Sequence, residues 1–156
     1  MDIDHPADPA TDTHRSTDLP RSAGAQVSAD VPVMRFAPWW EPDLALCGHD
    51  PTGGYVETYW TPVLGPASTM TLRWVTHMFE LHGGGFEIPF GEFAARIGLG
   101  ARKGRHSPAA RCVDRLRYFN LASIRGEVLI RTHVPSLPAH LRRRLPSELR
   151  RSLPRS

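Results

Sequence analysis

Proline and glycine set the length of every element this chain can form. Its 156 residues include 15 Pro and 13 Gly. Proline removes a backbone donor and clashes inside a helix, while glycine tolerates the turns that end one. Between Gly54 and Leu64 the sequence YVETYWTPVLG is limited by Pro62 and Gly65 to a short helix. Pro66 suits a first helical position, and Ala67, Met70, Trp74, Val75, Met78 and Phe79 recur at three- and four-residue spacing up to Leu81. This is the strongest helical pattern in the chain, and Gly83, Gly84 and Gly85 stop it. FEIP at 86–89 alternates as a short strand does. Phe90, Phe93, Ala94 and Ile97 then share one face of a second helix, with Gly98 just past its end.

Ser107 and Pro108 form an N-cap and first-position pair, because the serine oxygen accepts an orphan N–H and proline sacrifices none. The helix they open runs to about Phe119. At about 100° per residue, Ala109, Cys112, Val113, Leu116 and Phe119 form one stripe, and Ala110, Arg111, Asp114, Arg117 and Tyr118 form the other. The first stripe is predicted to pack on Trp74, Val75, Met78, Phe93 and Ile97. LASI and EVLIRTHV, separated by Arg125 and Gly126, read as a hairpin. In the tail, Leu141, Leu145, Leu149 and Leu153 recur every four residues, but Pro146 splits them into two short helical pieces.

Charge divides the chain. Residues 1–95 hold four Arg and thirteen Asp or Glu, net −9, whereas residues 96–156 hold fourteen Arg, Lys103 and three acids, net +12. Such a basic half attracts phosphate, anionic headgroups or an acidic protein surface. Residues 1–30 carry six Asp and two Arg with almost no large apolar side chain, and are predicted to be a disordered acidic tail. Residues 31–53 are aromatic but broken by Pro32, Pro38, Pro42 and Pro51. They are predicted to drape over a domain at 54–136 with Phe36, Trp39 and Trp40 as anchors; the alternative is a docking motif for a partner. Residues 137–156 form a basic helical extension.

Several function classes are excluded at this level. No stretch approaches the roughly 20 apolar residues that span a bilayer, and the beginning, MDIDHPADPATD, has no apolar run of a secretory signal. Cys47 and Cys112 stand 65 positions apart, which fits neither a disulfide scaffold nor a zinc site, so a reducing cytoplasm is expected. Cys47 with His49, and His77 with His82, do not reach a metal-ligand set. Gly83–Gly85 lack the strand and GK[ST] context of a phosphate loop, and no Ser, His and Asp context supports a triad. The expectation is a non-enzyme with no metal and no cofactor.

The order helix, short strand, helix, helix, hairpin resembles the winged helix-turn-helix domain, a mainly α fold with a small β-hairpin. The resemblance spans about 66–134 and is carried by FGEFAARIGLG at 90–100, SPAARCVDRLRYFNLA at 107–122 and IRGEVLIRTHV at 124–134. These resemble a support helix, a recognition helix and a wing. The stretch from YVETYWTPVLGP to RHSPAARCVDRLRYFNLA is also similar to a family of poorly characterised actinobacterial proteins, which brings no established activity. One departure is the loop LGARKGRH, longer by about five residues than the usual three- or four-residue turn.

The resemblance implies double-stranded DNA as partner. Arg111, one turn into the recognition helix, then becomes the candidate base-edge contact, since arginine makes two hydrogen bonds to guanine. Arg102, Lys103 and Arg105 in the long loop become phosphate contacts beside the helix N-terminus capped by Ser107. Arg125 takes the wing tip and Arg131 a further phosphate. Each has a plainer reading as a solvated side chain. Tyr118 at the helix end packs, stacks or donates to phosphate, and the run Arg142–Arg144 spreads too widely around a helix for all three to face one ligand. The alternative function is an adaptor whose basic face meets an acidic protein and whose Trp39–Trp40 segment docks elsewhere.

Overall fold

The computed structural model describes residues 32–100 and 106–154. The predicted tail at 1–30 lies outside them. The elements in chain order are β1 (Val33–Trp39), α1 (Pro42–Cys47), a π-helical stretch (Val56–Trp60) running into α2 (Thr61–Leu64), α3 (Pro66–His82), β2 (Phe86–Pro89), α4 (Phe90–Arg96), α5 (Pro108–Tyr118), β3 (Ala122–Ile124), β4 (Val128–Arg131), a 3₁₀ turn (Arg142–Arg144) and α6 (Ser147–Ser152). About half of the described residues are helical and the strands join one four-stranded sheet, so the fold is mixed α/β.

The hairpin and the strand at 86–89 belong to that sheet, and the segment at 31–53, expected to drape over the domain, instead supplies the strand β1 that joins them. The strand order is β2-β1-β4-β3. β1 pairs antiparallel with β2 through Val33–Phe36 and parallel with β4 through Phe36–Trp39. Only Phe36 has a strand partner on both sides. Pro38 falls in the half of β1 that has one neighbour, where a missing N–H is tolerated. Strand neighbours approach so closely that a Cβ on Gly85 would stand 2.8 Å from the Phe36 carbonyl oxygen, which only glycine avoids.

α3 opens at Pro66 and stops at Gly83, whose φ of 67° is left-handed; Gly84 N–H then donates to Phe79 O at 2.9 Å, closing the helix end. Its buried face is rotated by roughly one residue, about 100°, from the face that the apolar periodicity predicts. Ser68, Thr69, Thr71, Leu72, Val75, Thr76 and Phe79 are buried, while Met70 is exposed and Trp74 and Met78 are half-buried. Threonines can line this face because each hydroxyl donates back to its own helix: Thr69 to Gly65 O, Thr71 to Ala67 O and Thr76 to Leu72 O. Trp74 instead meets Phe86 edge-on at 5.8 Å and Phe93 at 6.0 Å.

α5 lies on α3 with Ala109, Cys112, Val113 and Leu116 buried, and Phe119 partly buried. The C-terminal residues share this core rather than extending from it. Leu137, Leu141 and Leu145 are buried, with Leu149 and Leu153 packed at the margin. They are stitched to the segment before α3: Trp60 Nε1 donates to Pro135 O (3.1 Å), Leu137 N–H to Tyr55 Oη (2.9 Å) and Tyr59 Oη to Ser152 O (2.9 Å).

His49 pairs by backbone with Val134, lies flat on Tyr55 at 3.4 Å between ring centroids, and meets Ser136 Oγ through Nε2 at 3.0 Å. Burial lowers its pKa from 6.5. The folded state therefore favours the neutral ring, so this contribution to stability is full above about pH 6.5 and is lost as pH falls through the lowered folded pKa. Urea unfolding between pH 7.5 and 5 is expected to show a larger loss of stability for the natural chain than for His49→Gln. Leu116→Ala, at a fully buried position, is expected to cost about 2–5 kcal/mol by the same measurement.

Candidate nucleic-acid interface

α5 is the element on which the candidate residues depend. Ser107 Oγ accepts from Ala110 N–H at 3.2 Å and Pro108 takes the first position, so the cap expected from the sequence is present. Ser107 is itself buried, and its oxygen is committed to the helix. With one stripe of α5 turned into the core, the other emerges as a surface of alternating charge and aromatic character. Arg111 is exposed and has no acidic partner among the described residues. Asp114 pairs with Arg117 at 3.1 Å, an exposed i,i+3 contact worth a few tenths of a kcal/mol, ~0.3–0.5. Tyr118 is 77% exposed. Arg115 bends away, donating from Nη2 to Val63 O at 2.6 Å and lying over the Phe119 ring.

Arg125 stands exposed in the β3–β4 turn, where its N–H donates to Glu127 O and Gly126 takes φ 77°. Arg102, Lys103 and Arg105 lie outside the described residues. His106, the first residue described after them, is exposed.

Arg131 departs from its expected role as a phosphate contact. It is 6% exposed. Its Nε donates to Asn120 O at 2.6 Å, its Nη1 pairs with the Glu41 carboxylate, and its guanidinium lies 3.9 Å over the Trp39 ring. Trp39 and Arg131 are register partners on β1 and β4, so the stacking follows from the parallel pairing that the sequence did not reveal. A guanidinium so occupied has no face left for DNA.

The described residues thus bring Ser107 and Arg111 together on one turn of helix, place Arg125 on the hairpin, and withdraw Arg131 into the protein. They also bring together residues that local sequence patterns keep apart. Tyr118, Asn120, His140, Arg143 and Arg144 line one cleft between the end of α5 and the 3₁₀ turn. The leucine repeat of the tail signals that this segment returns to the domain, but not where it lands. Arg142 donates through Nε to Leu137 O, while Arg143 and Arg144 are exposed.

Among the described residues, no group of three His, Cys, Asp or Glu is placed to hold a metal ion, and no helix is long and apolar enough to cross a membrane. No protein-family model matches the chain, and neither a curated protein nor a solved structure is significantly similar to it.

Arg131→Met is expected to destabilise the fold by about 2–3 kcal/mol, through loss of a charged hydrogen bond and the ring stacking. In a gel-shift series with duplex DNA, the folded variant is expected to match the natural chain at every salt concentration. A weaker salt dependence of the variant than of the natural chain would return Arg131 to the candidate phosphate contacts.

Proposed function

We propose that the chain is a winged-helix protein that binds double-stranded DNA as a regulator or accessory factor, with α5 as its recognition helix. The observation that carries this reading is the outward stripe of α5. Among the described residues no other element covers it and Arg111 on it is free of acidic partners, and the basic sequence Arg102, Lys103, Arg105 shortly precedes it. The order α3, β2, α4, α5, β3, β4 agrees with the winged helix-turn-helix pattern, to which β1 is an addition inserted between β2 and the hairpin.

In this reading Arg111 meets a base edge in the major groove, the loop before α5 meets phosphates near the helix N-terminus, and Arg125 touches the backbone or minor groove from the β3–β4 turn. Ser107 acts through the helix it caps, and Arg131 acts only by holding α5, β1 and β4 in their places. A second reading, the adaptor for an acidic protein, draws on Trp40, which is 60% exposed beside the half-buried Trp39 and available to dock elsewhere.

Titration with selected and random duplexes over a range of salt separates these readings. Arg111→Ala is expected to weaken a preferred site by about 1–3 kcal/mol while sparing random duplex more. Joint replacement of Arg102, Lys103 and Arg105 by Ala is expected to weaken all duplexes alike and to flatten the salt slope by roughly 0.9 for each phosphate no longer neutralised. Absence of duplex binding by the natural chain at low salt would reject the DNA reading in favour of the adaptor.

A further inference from the structure

The cleft at the end of α5 has a volume of about 660 Å³, within the range of pockets that hold small ligands. Its wall is aromatic. Trp60 lines it from within the core, Phe119 meets Trp60 edge-on at 6.3 Å, and Tyr118 stands exposed beside them. Its charge has one sign. Arg143 and Arg144 line it and no Asp or Glu does, and neither arginine has an acidic partner among the described residues. The Arg144 guanidinium lies 5.6 Å from the Phe119 ring centroid, so cation and ring already share a wall.

Asn120 completes the lining. It takes a left-handed φ of 58° at the end of α5, donates its N–H to Arg117 O and accepts Arg131 Nε on its carbonyl. The main chain is thus fixed, while the side-chain amide has no hydrogen-bond partner among the described residues.

We propose that this cleft binds a nucleotide outside a duplex, with Arg143 and Arg144 on its phosphate, the exposed Tyr118 ring against its base, and the Asn120 amide at the base edge. Three chemistries converge on that ligand. Planar guanidinium forks suit phosphate oxygens. An exposed aromatic ring forms a platform for any base face. An amide offers both a donor and an acceptor to a base edge. A paired and stacked base presents neither its face nor its pairing edge, so the ligand is a free nucleotide or an unpaired nucleotide of a strand. The proposal stands whether or not α5 enters a major groove.

The test is calorimetric titration of the full chain with 5′-AMP, adenosine, inorganic phosphate and a short oligo-dA strand. AMP is expected to bind saturably, with adenosine and phosphate each weaker by about tenfold or more. Tyr118→Ala and the double variant Arg143→Ala/Arg144→Ala are each expected to weaken AMP roughly tenfold, as loss of a base–aromatic stack does. Tyr118→Phe is expected to retain binding. All three side chains are exposed, so unchanged urea midpoints are expected to accompany these losses. Arg111→Ala is expected to leave AMP binding unchanged, which separates failure of this proposal from failure of the duplex reading. Displacement of AMP by oligo-dA assigns the ligand to a strand, and no displacement assigns it to the free nucleotide. The proposal is overturned if AMP and oligo-dA do not bind, if binding ignores the cleft variants, if phosphate alone binds as tightly as AMP, or if a duplex displaces AMP as well as a single strand does.

Discussion

The double engagement of β1 is the constraint on which the rest of the structure depends. Its first half holds β2 and its second half holds β4, joined at Phe36, which stacks with Phe86 at 5.3 Å and packs on Phe93 at 5.2 Å. Without β1, the strand before α4 and the hairpin after α5 would have no common sheet. In the chain, α4 and α5 thereby lie between β2 and the hairpin, which β1 connects into one sheet. Parallel pairing cannot be made by a hairpin and requires a long crossover, and here the crossover from β1 to β4 contains α1 to α5 and β2 and β3. The helix proposed to read DNA is therefore inside the connection that closes the sheet, which ties its position to the whole core.

Arg131 shows what this closure demands of the charge distribution. Removing a guanidinium from water is costly unless hydrogen bonds and an opposing charge replace the solvent. The Asn120 carbonyl, the Glu41 carboxylate and the Trp39 ring supply that replacement from three different parts of the chain. The carboxylate is 41% exposed, so water shares in the compensation and moderates the strength of the pair. The same side chain anchors the left-handed turn at Asn120 that ends α5. An arginine that looks in sequence like one more cation of a basic hairpin is in the fold a joint between β1, β4 and α5.

What is legible in the sequence is local. The Ser107–Pro108 cap, the stripe of Ala109, Cys112, Val113 and Leu116, the glycine stop after α3 and the Arg125–Gly126 turn each depend on residues within a few positions of one another. The place of β1 depends on Phe36 meeting Val128, with most of the domain between them, and prolines at 32 and 38 mask its β character. The buried face of α3 departs from its apolar pattern because periodicity counts apolar residues only. Threonines that bond back to their own helix enter the core without leaving an apolar signature. The candidate site is legible where it rests on helix geometry, as at Arg111. It is illegible where it rests on contacts between distant segments, as at Arg131 and at the cleft where the tail returns to Tyr118.

Among the described residues the charge asymmetry survives folding, and that is the strongest reason to look outside the molecule for its use. Had the acidic and basic halves paired throughout, all but three of the twelve net positive charges of residues 96–156 would have been neutralised internally. Among the described residues only Arg96 with Glu92 and Arg131 with Glu41 pair across that division. Arg35 with Glu87 and Arg73 with Glu57 stay within the acidic half, and Arg117 with Asp114 and Arg151 with Glu148 within the basic one. Arg111, Arg125, Arg143 and Arg144 remain exposed without an acid among the described residues. Tyr118 belongs both to the outward stripe of α5 that carries Arg111 and to the cleft that carries Arg143 and Arg144. The unpaired charge is consequently spread along a path that begins one turn into α5 and passes an exposed aromatic ring before reaching the tail. Cations alone along such a path would attract any anion; rings interleaved with them favour one that carries both phosphates and flat bases.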